Sequence, residues 1–229
     1  FTNKKNKHIY QSDEIFNNIF SQINEMQNIK YNLVILDSYS ARSIKVKSLI
    51  APNSPYVGMF GYFNGPEVNR ILFSFHQMNN LLGNNLNESE INKIAKNFIT
   101  ISKPDQLIVN DIVAENYIAI ALGGEWAYKT YKRWDKVIEQ IIVQNQDLGI
   151  VLIGSDNALQ QSLEIIKKFS EHNFLNFVAR LTFNQTIEVI RQSKLFLCCD
   201  GGLLHGATAV NANTLALLAR LTPEMLLTK

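Results

Sequence analysis

Asp200, Gly201, Gly202 and His205 are the residues whose types and spacing best suit chemistry in this chain. They follow an apolar run, Leu195 to Cys199, and open a small-residue segment that continues through Gly206, Ala207, Thr208 and Ala209. That order reads as a buried strand, a tight turn and a helix start. Glycines let the backbone bend and let a ligand come close, because no Cβ stands in the way. A helix start presents unpaired N–H groups and a partial positive charge, and both favour an anion. His205 would sit beside that anion, so the chemistry suggested is phosphate binding for a nucleotide-linked substrate. A plain glycine turn with a locally satisfied histidine fits the same spacing. Two familiar phosphate motifs do not. Gly201 and Gly206 are spaced as in a Walker A loop, but Ala207 stands where the lysine belongs. No strand here precedes G-x-G-x-x-G, which disfavours a nicotinamide enzyme.

Three further groups are candidates. Lys132-Arg133-Trp134 opens a helix after a glycine-ended strand, and Lys132 could reach a phosphate as a point charge. It could equally be a solvated basic loop with Trp134 as a core anchor. Gly154-Ser155-Asp156-Asn157 could touch a ribose or base, or be an ordinary βα turn. Arg42-Ser43 follows an early strand and is a weak signal. His8, His76 and His172 are scattered without metal-ligand spacing, so no metal site is expected. No Ser-His-Asp or Cys-His arrangement can be read from residue order.

These residues need elements to position them. Ser12 to Met26 has apolar residues at helical spacing (Ile15, Ile19, Phe20, Ile23), with Ser12 as an N-cap. Tyr31 to Asp37 and Tyr56 to Phe60 read as strands, with a helix from Ser38 to Leu49 between them. Phe73 to Leu82 reads as a helix, and Asn87 with Glu90 as a capping box ahead of a buried face at Ile91, Ile94, Ala95 and Phe98. Ser102 to Asn116 shows no clear helical period, and a domain boundary is expected at its end. The two domains are then 1–113 and 114–229.

The second half is more regular. Tyr117 to Leu122, Gly149 to Ile153, Asn176 to Ala179, Leu195 to Cys199 and Asn213 to Leu218 are predicted strands. Helices are expected from Trp134, from Leu159 to Phe169, after the Thr182–Gln185 capping box, and after Gly202. Strict β-α alternation predicts a doubly wound parallel sheet, whose ligands bind beyond the carboxyl ends of the strands. Three loops lie at such ends: Gly123 to Lys132, including Glu125, Gly154 to Asn157, and Asp200 to His205.

Composition narrows the class. The 229 residues are 46% hydrophobic and 18% charged, as in a globular chain with a real core. A formal net charge of +2, without arginine runs or basic-aromatic alternation, argues against a nucleic-acid partner. The only cysteines, Cys198 and Cys199, are adjacent and cannot form a disulfide framework, which fits a reducing compartment. No apolar run has the length of a membrane span. The first residues do not form a signal peptide. The start at Phe1 and the stop at Lys229 suggest a piece of a longer chain.

Taken together, the motifs resemble glycosyltransferase family 9, the ADP-heptose:lipopolysaccharide heptosyltransferases. That family's D-[ST]-G-x-x-H-x-A-x-A is matched by Asp200 to Ala209, its glycine turn and K-x-W-P by Gly123-Gly124 and Lys132-Arg133-Trp134, and its glycine-ended strand by Ile150 to Gly154. Tyr31 to Asp37, Ala41-Arg42-Ser43 and Val57-Gly58 resemble its first half. The resemblance implies an α/β, GT-B type fold: two Rossmann-like domains with parallel sheets facing across a cleft, the N-terminal one incomplete here. It implies an inverting, metal-independent transfer of a sugar, heptose foremost, from a nucleotide-diphosphate donor to a lipopolysaccharide-core or similar glycan acceptor. Donor-binding residues would be Lys132, Asp200, Gly201, Gly202, His205, Gly123, Gly124 and Gly154. No cofactor is implied, ADP-heptose being a substrate. The partners implied are that donor and a glycan or glycolipid acceptor. The location implied is the cytoplasm, with peripheral contact at the inner membrane.

Several positions depart from the pattern. Gly201 replaces a hydroxyl residue, Asp135 replaces proline, Ala158 stands near the place of a ribose-binding glutamate, and Thr130 only approximates a phosphate-contacting hydroxyl. The family's first strand and glycine-aspartate loop would lie upstream of Phe1, and with them the general base. Two other readings remain: a non-catalytic or degenerate nucleotide-sugar-binding module, and a GT-B transferase with another donor such as a UDP-linked hexose.

Overall fold

The computed structural model describes residues 1–27, 29–59, 69–124 and 126–228. Phe60 and Glu125, named above in a strand and a loop, lie outside the described residues. The chain divides into two units, Phe1–Asn97 with Leu221–Lys229, and Phe98–Arg220.

The first unit contains α1 (Lys7–Tyr10), β1 (Val34–Leu36), α2 (Ala41–Ile50), β2 (Tyr56–Gly58), α3 (Arg70–Leu81) and α4 (Glu88–Ile94). β1 and β2 pair in parallel, with Val34 opposite Tyr56 and Leu36 opposite Gly58. A right-handed crossover through α2 suits such a pair. The Ser40 hydroxyl caps α2 by accepting from the Ser43 N–H at 3.1 Å. The Asn87–Glu90 capping box forms as expected: the Asn87 side chain accepts from the Glu90 N–H, and the Glu90 carboxylate accepts from the Asn87 N–H. Ile91 and Ala95 are buried, whereas Ile94 and Phe98 are exposed, which corrects half of the expected face. The terminal segment belongs to this unit because Asn69 Nδ2 donates to the carbonyls of Glu224 and Leu227, both at 2.9 Å.

The helix expected over Ser12 to Met26 does not form. Only Ile23–Met26 makes a turn of 3₁₀ helix. Of the periodic residues, Ile15 is exposed and Ile19, Phe20 and Ile23 are only half-buried, so no continuous apolar face is packed. The Asp13 carboxylate accepts from the Ile15 N–H at 3.2 Å, an Asx turn that competes with a helical start.

The second unit begins with α5 (Lys103–Ile112), where no helix was expected. Ser102 caps it, accepting from the Asp105 N–H at 3.1 Å, and Pro104 occupies its first turn. Gln185 Nε2 donates to Asp105 Oδ1 at 2.9 Å, and Gln192 Nε2 donates to Asn110 Oδ1 at 2.7 Å. These bonds place α5 in the second unit, so the division falls after Asn97 and not at 113.

Then follow β3 (Tyr117–Ala121), α6 (Trp134–Gln144), β4 (Gly149–Ile153), α7 (Leu159–Lys168), β5 (Phe174–Asn176), α8 (Phe183–Gln192), β6 (Phe196–Cys199), α9 (Gly202–Ala209) and β7 (Thr214–Leu217). The five strands form one sheet in the order β5-β4-β3-β6-β7. Every pairing in it is parallel. This is the predicted doubly wound sheet. β3 is buried along its whole length, as a central strand covered on both faces must be. Ile118, Ile120, Ile150 and Leu152 pack with Trp134, Ile138 and Ile165 in the core. β5 ends at Asn176, the first residue of the expected Asn176–Ala179 strand. Its last pair is Leu152 with Asn176, and Ala179 turns away at a left-handed φ of 58°.

Candidate active site

The sheet order reverses between β3 and β6, because β4 and β5 lie to one side of β3 and β6 and β7 to the other. Open parallel sheets bind ligands at this switch point, beyond the carboxyl ends of the strands. The two loops that start there are the ones the sequence singled out: Gly123-Gly124 after β3, and Asp200-Gly201-Gly202 after β6.

The loops are joined by a residue that sequence reasoning missed. Lys129 Nζ lies 2.7 Å from Asp200 Oδ2, with the lysine side chain 24% and the aspartate side chain 4% exposed. A second tie lies beside it. The Tyr131 backbone N–H bonds the Cys199 sulfur, and burial is the main influence on that thiol, raising its pKa. Burial pushes the Cys198 thiol up to about 12, so it is a neutral core group and not a nucleophile. Lys132, the predicted phosphate contact, is exposed and forms no ion pair among the described residues. No motif marks Lys129. Only its position on a turn that folds back toward the switch point gives it this role.

Glycines shape the β3 loop. Gly123 has φ of 73°, and a Cβ there would lie 2.9 Å from Asn157 Oδ1 and 3.0 Å from the Ala158 Cβ. Gly154 has φ of 152°, and a Cβ would lie 2.8 Å from both the Ala158 Cβ and the Leu122 carbonyl. The β3 and β4 loops therefore close on Ala158. Asn157 Nδ2 donates to the Gly124 carbonyl at 2.7 Å. Gln161 Oε1 accepts from the Gly123 N–H at 3.2 Å, and its Nε2 donates to the Tyr131 carbonyl at 3.0 Å. Asn157 and Gln161 thus hold the loop from below. The Thr130 hydroxyl donates to the Trp126 carbonyl at 3.1 Å and closes the turn on itself.

Trp126 and Tyr128 project from that turn. They are 55% and 50% exposed, with rings stacked at 6.5 Å, and the Arg220 guanidinium sits 4.6 Å from the Tyr128 ring centre.

The β6 loop differs in kind. Gly201 is extended, with φ of 176°, and a Cβ there would meet nothing closer than the Cys199 carbonyl at 4.0 Å. A Cβ on Gly202 would have nothing within 4 Å. Neither glycine is demanded by backbone strain or by packing inside the protein. Gly202 begins α9, whose cap residue offers no side-chain hydrogen bond, and half-buried His205 lies in the first turn. Gly206 is a structural glycine, since a Cβ there would overlap Ile187 of α8. The geometry suits a small anion at the start of α9, approached through open space and flanked by His205.

Among the described residues, no group of three or more His, Cys, Asp or Glu side chains could hold a metal ion. No described helix is long and apolar enough to cross a membrane.

The sequence model of glycosyltransferase family 9 (heptosyltransferase) matches residues 64–226, well over half of the chain. The chain belongs to glycosyltransferase family 9. Membership places it among the glycosyltransferases. No curated protein matches the sequence significantly.

Solved structures of the same fold include a family 9 glycosyl transferase from Veillonella parvula DSM 2008. It is 12% identical, with a TM-score of 0.76 over 96% of this chain and 72% of that one. The E. coli ADP-heptose LPS heptosyltransferase II is 15% identical, with a TM-score of 0.62 over 86% of this chain and 66% of that one. The E. coli heptosyltransferase WaaC with ADP is 11% identical, with a TM-score of 0.64 over 93% of this chain and 74% of that one. At these identities the likeness establishes a shared α/β fold of the GT-B type with parallel sheets, and the chain spans 66–74% of these relatives' length.

Proposed function

We propose that this family 9 chain binds a nucleotide-diphosphate sugar at the β3/β6 switch point and serves its transfer to a glycan acceptor. The observation that carries the reading is the β6 loop. Gly201 and Gly202 are glycines without a structural need, half-buried and exposed respectively, at the start of a helix with His205 in its first turn. Such a place accepts the donor diphosphate through backbone N–H groups, with His205 and exposed Lys132 contributing charge as the leaving group develops. The acceptor hydroxyl attacks the anomeric carbon from the face opposite the diphosphate. A new C–O bond forms, the bond to the diphosphate oxygen breaks with its electron pair, and the hydroxyl proton passes to a carboxylate base. The transfer inverts the anomeric centre and proceeds without a metal or resident cofactor.

ADP-heptose is the donor we propose. The heptosyltransferase description of the matching family supports it, as do the ADP-heptose and ADP named for the two E. coli relatives. The acceptor proposed is a lipopolysaccharide-core or similar glycan at the cytoplasmic face of the inner membrane.

Calorimetric titration of the full-length protein with ADP and ADP-heptose tests the reading. Binding weakened about tenfold or more in Lys132→Ala or His205→Ala is expected. Absence of binding, or unchanged binding in both variants, overturns it. Binding without transfer to any core glycan would favour a nucleotide-sugar-binding module, and preference for a UDP-linked hexose would favour another donor.

A further inference from the structure

The β3 loop contains a cation that neither the family motif nor the glycine pattern assigns. We propose that Lys129 is a positioning residue for the donor diphosphate site, acting through Asp200; this rests on the donor-site reading above. Asp200 stands one residue before the two open glycines, and its carboxylate is almost wholly out of water. A buried carboxylate left unpaired is costly, so whatever pairs with it fixes where it sits. The pair is Lys129, on the far side of the switch point, at 2.7 Å.

Asp200 is also held by its backbone, its N–H donating to the Leu217 carbonyl of β7 at 3.1 Å. The aspartate end of the pair is therefore anchored in the sheet, and the lysine end brings its loop to it. That loop is ordered from within. The Lys129 N–H donates to the Trp126 carbonyl at 2.9 Å. Gly124, lacking a Cβ, lets the Lys129 carbonyl and Thr130 hydroxyl pack where a side chain would come within 2.7 and 2.8 Å of them. The Tyr131 N–H on the Cys199 sulfur makes a second tie one residue earlier on β6. Two adjacent cross-links thus set the spacing between the lips of the site.

This geometry separates Lys129 from Lys132. Lys132 is exposed and available as a direct charge on phosphate. Lys129 is committed to Asp200, and its effect on the ligand passes through the position of the Asp200-Gly201-Gly202 turn. Removing the ammonium frees the β3 loop and leaves a buried carboxylate beside an anion site, where it repels the diphosphate. Removing both charges relieves that repulsion.

A double-mutant cycle tests the assignment in the full-length protein, with ADP as the calorimetric probe. Lys129→Met keeps the stem and Asp200→Asn keeps the shape. Lys129→Met is expected to weaken ADP binding about tenfold. The double variant is expected to bind no worse than Lys129→Met alone, and Lys129→Arg to recover most of the affinity. Hydrogen exchange of the backbone amides in 126–131 and 200–202, without ligand, is expected to speed up in Lys129→Met and to return in Lys129→Arg.

Strictly additive losses in the cycle would make Lys129 a direct phosphate ligand and overturn the positioning role. Wild-type affinity in Lys129→Met, with unchanged exchange, would show that the pair does not set the site. If the wild-type protein itself binds no nucleotide diphosphate, the donor-site reading fails first and the role of Lys129 falls with it. A failure confined to the variants touches Lys129 alone. Should Lys129→Met not fold, Asp200→Asn and Lys129→Arg carry the same cycle from the other corner.

Discussion

Gly201→Ala and Gly202→Ala separate glycines kept for a ligand from glycines kept for the fold. An alanine Cβ at position 202 would have nothing within 4 Å, and one at 201 would have only the Cys199 carbonyl at 4.0 Å, an ordinary contact. Position 201 is extended, so alanine brings no backbone strain. Position 202 begins α9, where alanine is the better helix former. Replacing glycine by alanine at compatible positions stabilises by about 0.4–1 kcal/mol, chiefly by narrowing the unfolded ensemble. Each variant should therefore unfold in urea at the wild-type midpoint or slightly above it.

Ligand binding should move the other way. A methyl group on the path of a diphosphate that approaches backbone N–H groups costs at least one charge-assisted hydrogen bond, about 1.5–3 kcal/mol. That is roughly ten- to a hundredfold in affinity. Paired urea melts and ADP titrations on the same preparations read both quantities. Stability unchanged or raised, with affinity lost, is the expected pattern. Wild-type affinity in both variants would refute the inference that these glycines face the donor, and a large loss of stability would show that the space around them is not open.

The contrasting glycine is Gly154. Gly154→Ala combines a φ of 152° with a Cβ 2.8 Å from the Leu122 carbonyl and the Ala158 Cβ, and urea unfolding should show a loss of about 2–5 kcal/mol. In α8, Glu188 is fully buried and held bidentately by Arg191. Arg191→Met should cost about 2 kcal/mol, less than a fully buried pair because the arginine is 47% exposed, with thermal melts as the readout. Burial lowers the pKa of His172 below its ordinary 6.5, with its Nε2 buried and unpaired among the described residues and its ring edge-on to Phe174. The unfolded chain then takes up the proton first, so this contribution to stability is present above pH 6.5 and lost as pH falls below it. His172→Phe should flatten the loss of stability between neutral pH and pH 5 in urea melts at a series of pH values.

The second unit was largely legible because β3, β4 and β6 are short apolar runs closed by glycine or acid, and α6 and α7 carry apolar residues at helical spacing. The Thr182–Gln185 capping box formed as read. α5 was illegible by period because it buries little: only Val109 is buried, while Leu107 and Ile108 face solvent at 62% and 45% exposure. It is held to α8 by the polar side chains of Gln185 and Gln192, which hydrophobic spacing does not record. Its cap did leave a signal, Ser102 before Asp105 with Pro104 between them. Ser12 to Met26 failed in the opposite sense: its apolar residues are periodic, but Ile15 is exposed and Ile19, Phe20 and Ile23 are only half-buried outside any α-helix.

At the site, sequence order located the loops at the carboxyl strand ends, because topology dictates where they lie. It did not identify Lys129 over Lys132, because an ion pair across 71 positions of chain depends on how a turn folds back, and no local spacing encodes that.

The strand order has a kinetic consequence. β3 is made first and lies at the centre of the sheet, so β4 and β5 can add to one flank as soon as they emerge from the ribosome. The other flank waits for β6, which begins at Phe196. At about 5–20 residues per second, the chain between Ala121 and Phe196 takes on the order of 4–15 s to synthesise. For that interval a wholly apolar strand, Tyr117-Ile118-Ala119-Ile120-Ala121, presents an unpaired edge. The nascent half-sheet thus presents an aggregation-prone edge, and a chaperone acting in that window would protect the edge that later borders the candidate site.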